Sequence, residues 1–300
     1  MTTERAVVLA GGLGKRMRAA DPDARLTPEQ QAAADTGLKA MVPVHGRPFL
    51  DYILSSLADA GIRKVALVVA PDHEGARQYY VDQAPPARVG LSFVLQPQPL
   101  GTANAMLAAE SWTAGDPFLT VNGDNLYPSQ ALADLARLAQ PGLPAFERDD
   151  LIRSSNIPAE RIKAFAVIEV EDDGCLSRII EKPPAGGLPP EGGSHESTGG
   201  SHESTGEGGD RSPLAASAFR RKNVLISMNC WRFDSRIFAA CRDVPRSARG
   251  EFELPEAVGL AIRRGVRFRA LPATGPVLDL SRRADAADVA ARLAGITPRP

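Results

Sequence analysis

The rhythm of apolar and polar positions changes several times along this chain of 300 residues. Arg5–Leu9 is a short apolar run that stops at glycines, which predicts a strand. Over 49–60 the residues Leu50, Ile53, Leu54 and Leu57 share one face at helical spacing. Short β-rich runs at 64–70, 91–95 and 117–121 alternate with helical patterns at 72–82, 101–111 and 129–138. This β-α-β-α order predicts an α/β fold with a parallel, helix-covered sheet. The second half carries longer β segments at 164–171, 177–181 and 223–233, followed by helical runs at 254–264 and 285–293. These read as an extension of the same sheet, so the chain is expected to form a single domain over 1–300. Ligands of such sheets sit at the C-terminal strand ends, where Gly11-Gly12 and Gly123-Asp124 both fall.

Two segments interrupt the pattern. Residues 19–37 are polar and alanine-rich, with a helix expected around 28–34. Residues 183–217 are rich in Gly, Pro, Ser and Glu, and 192–198 is repeated as 199–205. Such composition buries too little apolar surface to order itself, so a flexible low-complexity insertion is expected. His195 and His202 lie within it, each followed by Glu, and metal binding is the competing reading.

Composition excludes several classes. The formal net charge is −1 and no basic block occurs, so nucleic acid is not an expected partner. Cys175, Cys230 and Cys241 are widely spaced without a C-x-x-C pattern, which argues against a disulfide framework or zinc site. No run reaches the length of a membrane span, and the N-terminus enters a strand without a leader. A cytoplasmic protein with no membrane partner is expected.

The candidate chemistry begins at Leu9-Ala10-Gly11-Gly12-Leu13-Gly14-Lys15-Arg16. Glycines let backbone N–H groups close on an anion, and an arginine beyond them supplies a cationic fork for phosphate oxygens. The Walker pattern fails because Arg16 follows Gly14-Lys15, and the dinucleotide pattern fails at Met17. A plain strand-to-helix turn is the alternative reading of this segment alone. Asp124, at a strand end beside Gly123, suits a hard cation such as Mg²⁺, which takes one or two carboxylates plus phosphate oxygens. Gln96 offers one donor and one acceptor, enough to pair with the edge of a pyrimidine.

Five motifs occur in order: Leu-Ala-Gly-Gly with Arg16; Leu38-Lys39-Ala40-Met41-Val42-Pro43-Val44; Leu95-Gln96 through Leu100-Gly101-Thr102-Ala103-Asn104-Ala105; Leu119-Thr120-Val121-Asn122-Gly123-Asp124; and Ile180-Glu181-Lys182-Pro183. Together they resemble the sugar-phosphate nucleotidyltransferase (sugar-nucleotide pyrophosphorylase) family, over the chain from Ala6 to about Ala290. The third motif most resembles the uridylyltransferase domain of N-acetylglucosamine-1-phosphate enzymes, which tilts the expected base to UTP, with dTTP close behind. The resemblance implies a GT-A-like fold: a dinucleotide-fold-like, mixed and mainly parallel sheet with helices on both faces. It implies a nucleotide-binding half over 1–140 and a sugar-binding half over 160–300. It also implies Mg²⁺-dependent joining of a sugar 1-phosphate to a nucleoside triphosphate, with release of pyrophosphate.

By the same resemblance, Leu9, Ala10, Gly11, Gly12, Gln96, Gly101, Thr102, Asn122 and Asp124 bind the nucleotide. Arg16, Lys39 and Lys182 act on the phosphates. Ala166, Glu181 and Asn229 bind the sugar, and Asp124 and Asp279 hold the metal. Departures are Lys15 where Ser or Thr is usual, Leu38 for proline, and Val277 for the tryptophan two residues before Asp279. Lys15 either strengthens phosphate binding or faces solvent, and Asp279 has a helix N-cap beside Ser281 as its alternative role. Glu251 and Glu253 are left without a role. Trp231 and Phe233 are expected in the core. Small-molecule substrates are the expected partners, with a homo-oligomer left open. The alternatives are a nucleotide- or sugar-binding regulatory protein on this fold, and a transferase for a non-sugar phosphate.

Overall fold

The computed structural model describes residues 2–181 and 224–300. Lys182, Asn223 and the insertion at 183–217 lie outside the described residues.

Among the described residues, ten strands form the main sheet: β1 Arg5–Leu9, β2 Lys64–Val69, β3 Gly90–Leu95, β4 Phe118–Asn122, β5 Gly142–Glu147, β6 Ala166–Val170, β7 Leu176–Ile180, β8 Leu225–Ser227, β9 Trp231–Phe233 and β10 Arg269–Ala273. Their order is β7-β6-β8-β5-β9-β4-β1-β2-β3, with β10 also paired to β5. β3, β2, β1 and β4 run parallel. β9 pairs antiparallel with β4, and β6, β7 and β8 continue antiparallel beyond it. The sheet therefore runs without a break from the first strand into the second half of the chain.

Side chains of β1 alternate between two cores. Ala6 and Val8 join the cluster that includes Leu50, Ile53 and Leu57 of the helix Phe49–Asp59. Val7 faces the other cluster, with Ala103 and Met106 of the helix Thr102–Ala108. A strand covered on both faces must be apolar at every position, which is why Arg5–Leu9 reads as a continuous run. Trp231 and Phe233 are fully buried and stacked, with ring centroids 5.6 Å apart.

The structure refines several boundaries. The 223–233 segment divides into β8 and β9, because Asn229 takes a left-handed φ of 55° between them. The 72–82 helix becomes α-helix Glu74–Gln78 continued by a π-helical turn, Tyr79–Gln83. The helix in the first insertion runs Pro28–Thr36, started by a capping box between Thr27 and Gln30. Strand β5, strand β10 and the helix Arg236–Asp243 had no sequence expectation. β5 contains Gly142 and Pro144, which disguise a strand as a loop. Among the described residues, no helix is long and apolar enough to cross a membrane. The three cysteines are free and buried.

Candidate active site

The parallel strands end together. Leu9 stands level with Val68 on β2 and Asn122 on β4. Ala10 N–H donates to Val68 O at 2.9 Å, and Gly123 N–H to Leu9 O at 2.9 Å. The chain leaves β1 with its partners on either side, the point at which such sheets open a crevice. A cavity of about 430 Å³ lies there.

Leu9, Ala10, Gly11, Gly12, Arg16, Lys39, Gln96, Gly101, Thr102, Asn122 and Asp124 all line this cavity, joined by Lys15 and Glu251. Lys15 thus stands on the cavity wall with Arg16. Gly14, at φ 60°, starts the short turn of helix that carries both. The first insertion closes against this turn: the Arg283 guanidinium donates to Met17 O at 2.7 Å and to Asp35 Oδ1 at 2.6 Å.

On one wall, Lys39 Nζ donates to Asp124 Oδ2 at 2.7 Å. Burial works most strongly to raise the Asp124 carboxyl, but the Lys39 ammonium and hydrogen bonds from Ser281 Oγ and the backbone together outweigh it and hold the group below the usual carboxylate range. Asp279 sits beside Asp124 because Leu278–Asp279 pairs antiparallel with Asn125–Leu126. It does not line the cavity. Asn156 clasps its backbone through two 2.8 Å hydrogen bonds, and Asn125 Nδ2 donates to its Oδ2 at 3.1 Å. Arg161 pairs with Asp279 and, at 2.7 Å, with Asp285. Burial and the neighbouring Asp124 charge push the Asp279 carboxyl up, against the pull of Arg161. Asp285 Oδ2, in turn, accepts the backbone N–H groups of Ser281 and Arg282.

On the opposite wall, Gln96 is buried, and its Nε2 donates to Gly101 O at 3.2 Å and Asn104 Oδ1 at 2.9 Å. A Cβ on Gly11 would lie 2.6 Å from Gln96 Oε1, so glycine is what lets the turn approach this amide. Gly101, at φ 114°, rests on the Phe252 backbone, and Thr102 Oγ1 accepts Leu254 N–H at 2.9 Å. Glu251 reaches the cavity through this docking.

Ala166, Glu181 and Asn229 lie outside the cavity lining. Ala166 is paired with Ser227 across β6 and β8, two residues from Asn229. The Asn229 Oδ1 atom is buried without a hydrogen-bond partner among the described residues. Tyr127 Oη donates to Met228 O at 2.8 Å, tying that turn to the segment after Asp124. Glu181 closes β7, with Arg249 Nη2 at 3.9 Å. Arg249 also pairs with Glu253, at 2.5 Å, which gives that glutamate a place.

Sequence reading assigned nothing to Asn104, Arg161 or Arg249. Asn104 and Arg249 lie within or beside the quoted motifs. Arg161 carries no local signal, since its partner Asp279 is 118 residues away.

A hard divalent cation fits the chemistry of the Asp124 side: carboxylate oxygens open to a cavity large enough for phosphates. Among the described residues, no group of three or more acidic, His or Cys side chains is arranged to hold a metal.

Comparison with known proteins gives a consistent answer. Residues 5–275 match the family described as nucleotidyl transferase. The chain is 27% identical over 289 residues to the UTP–glucose-1-phosphate uridylyltransferase AglF of Haloferax volcanii, covering 96% of each protein. It is 27% identical over 285 residues to a glucose-1-phosphate thymidylyltransferase of Streptomyces antibioticus, covering 95% of this chain and 65% of that protein. Of another curated relative the chain spans 44%. Among solved structures, a UDP-glucose pyrophosphorylase complexed with UDP-glucose superposes with a TM-score of 0.67 at 16% identity, covering 97% of this chain and 99% of that one. That likeness is one of fold.

Proposed function

The chain belongs to the nucleotidyl transferase family, and on that premise we propose that it joins a sugar 1-phosphate to UTP or dTTP in the presence of Mg²⁺, releasing pyrophosphate. One observation carries the reading: the glycine turn with Arg16, the Lys39–Asp124 pair and the Gln96–Gly101–Thr102 wall enclose a single cavity. The names of two relatives, a uridylyl- and a thymidylyltransferase of glucose 1-phosphate, support the choice of substrates.

A phosphate oxygen of the sugar 1-phosphate attacks the α-phosphorus of the triphosphate in line. The new P–O bond forms as the bond to the β-phosphate bridge breaks, and pyrophosphate leaves with that electron pair. The nucleophile is already anionic, so no general base is required. The work is positioning and charge neutralisation. Arg16 and the amides of Gly11 and Gly12 hold the leaving pyrophosphate. Lys39 bears on the α-phosphate, Lys182 orients the incoming phosphate, and Gln96, Gly101 and Thr102 receive the base. Ala166, Glu181 and Asn229 face the sugar; the unpartnered Asn229 Oδ1 suits a hydroxyl donor. Asp124 and Asp279 would hold Mg²⁺, which would supply neutralisation of the phosphate charge. Its use of Asp279 requires that carboxylate to share itself with Arg161.

The test is pyrophosphate release, crossing UTP, dTTP, CTP, GTP and ATP against a panel of sugar 1-phosphates, with and without Mg²⁺. Release that needs both substrates and the metal is the expected result. Saturable nucleotide binding without release would move the protein to the regulatory reading.

A further inference from the structure

Arg16 is carried by a helix of four residues, Lys15–Arg18, that starts at Gly14 without a side-chain cap. A single turn fixes several backbone angles for very few hydrogen bonds, so it has no stability of its own. Contacts from elsewhere must set where Arg16 points. Met17 sinks into the core at 1% exposure, but its flexible thioether chain adapts to many positions. The directional contacts come from Arg283. Its Nε donates to Met17 O at 2.7 Å, and its Nη2 to Arg18 O at 3.2 Å and Asp35 Oδ1 at 2.6 Å. The two carbonyls are among those that a helix end leaves without an internal partner, and the Arg283 side chain that meets them is 6% exposed.

Arg283 is itself held at both ends. At its base, Asp285 Oδ2 accepts the N–H groups of Ser281 at 2.9 Å and Arg282 at 2.8 Å, and Ala286 N–H donates to Arg283 O at 3.2 Å. At its tip, Asp35 of the first insertion receives the guanidinium. The insertion meets the turn twice more: Thr36 O accepts from Arg18 Nε at 3.1 Å, and a Cβ on Gly14 would collide with the Gly37 backbone.

We propose that Arg283 is a positioning residue that acts through Arg16, holding the turn Lys15–Arg18 so that this arginine meets the β- and γ-phosphates, with Asp35 as its brace. The inference rests on the reading of this cavity as a nucleoside triphosphate site. Arg16 lines the cavity and is exposed. With its backbone already set, it loses less freedom on meeting phosphate, and the gain appears as affinity. The base is received on the Gln96 wall, so a nucleoside monophosphate does not sense this device.

The experiment measures equilibrium binding of UTP and UMP, in the presence of Mg²⁺, to the full chain and to Arg283→Met, Arg283→Lys, Arg16→Ala and the double variant Arg16→Ala/Arg283→Met. The ratio of the two dissociation constants does not depend on the folded fraction. Arg283→Met should weaken UTP roughly tenfold, the scale of a hydrogen bond to a charged group, and leave UMP unchanged. Arg283→Lys keeps a cation with donors for Met17 O and Asp35 and should recover most of that loss. Arg16→Ala should weaken UTP at least as much and spare UMP. Adding Arg283→Met to it should cost UTP little more, because the residue being positioned is gone.

Additive losses in the double variant overturn the inference. So does equal weakening of UTP and UMP in Arg283→Met, which a general loosening of the site would give, and so does unchanged UTP binding in that variant. Asp35→Ala, at a side chain 58% exposed, carries the test if Arg283→Met fails to fold. It should weaken UTP about threefold, the scale of a partly exposed ion pair, and spare UMP; an unchanged ratio there overturns the inference. A wild type that binds UTP no more tightly than UMP, or an Arg16→Ala variant that binds UTP as the wild type does, overturns the reading of the phosphate turn itself. Binding is read without turnover, so absence of transferase activity does not hide the outcome.

Discussion

The cavity floor at the strand ends and the support behind Asp124 are built by different means. On the parallel side, strand register does the placing: β1, β2 and β4 end level, and the glycine turn and Asn122-Gly123-Asp124 emerge together from those ends. On the side of Asp279, long-range side-chain contacts do the placing. A two-residue ladder, the Asn156 clasp and the Arg161 pairs hold one carboxylate against another. The first arrangement needs apolar residues and glycines. The second needs buried charges that balance, and removing one of them leaves another uncompensated.

The largest effect expected from this contrast is at Asp124, where the two sides meet. Asp124→Asn should lower kcat by about 10³-fold or more, the scale of losing a principal electrostatic contact to transferring phosphate. Its melting temperature should stay close to the wild type, because the variant removes charge repulsion toward Asp279 as well as the attraction of Lys39. Steady-state turnover beside a thermal melt checks both statements. Near-normal turnover would show that the meeting point is structural.

Arg161→Met should act the other way, on stability first. The side chains of Arg161, Asp279 and Asp285 are 14%, 7% and 8% exposed, so the lost cation leaves two carboxylates in a dry setting. A loss of about 3 kcal/mol in urea unfolding is expected, on the scale of breaking a buried pair. Adding Asp279→Asn to that variant should recover part of it. Additive losses would mean that the pair does not couple, and the contrast between the two sides would weaken.

Gly101→Ala probes the backbone-built side. Its φ of 114° and the Phe252 O and N atoms, 2.5 and 2.7 Å from the added Cβ, leave no room for a side chain. A destabilisation of about 2 kcal/mol is expected, with a raised KM for nucleotide because Thr102 and Glu251 shift together. Gly12→Ala, where nothing lies within 4 Å of the Cβ, should leave stability near the wild type.

The same contrast explains what could be read from the sequence. β1, the glycine turn and Asp124 were legible because one local pattern, an apolar run ending at glycines, specifies both the strand and the turn that lines the cavity. The cavity collects every nucleotide-side residue that the motifs named. β5 was not legible, since Pro144 and Gly142 look like loop until β8 and β10 cover the strand from its two flanks. Arg161 was not legible because nothing near it in sequence marks it as the partner of Asp279. The break at Asn229 is of the same kind: its left-handed backbone is set between two strands that pair elsewhere.

The smallest expected effect lies at His73, where the parallel side does use a side chain. Its Nδ1 faces Ala70 N–H at 3.4 Å, just past the end of β2, and the ring is 3% exposed. An imidazole that accepts there is neutral. Burial lowers the His73 pKa from its ordinary 6.5, helped by Arg18 and opposed by Asp72. The unfolded chain therefore takes up a proton at a higher pH than the folded one. The His73 contribution to stability is present in full above pH 6.5 and is lost as the pH falls through the lower folded value. His73→Asn keeps an acceptor but cannot titrate. Its urea midpoint should fall less steeply than the wild type between pH 7.5 and 5.5, with the two proteins alike at the upper end. A wild-type slope in the variant would mean that His73 takes up its proton at the same pH in the folded and unfolded chains, and that register alone holds the strand end.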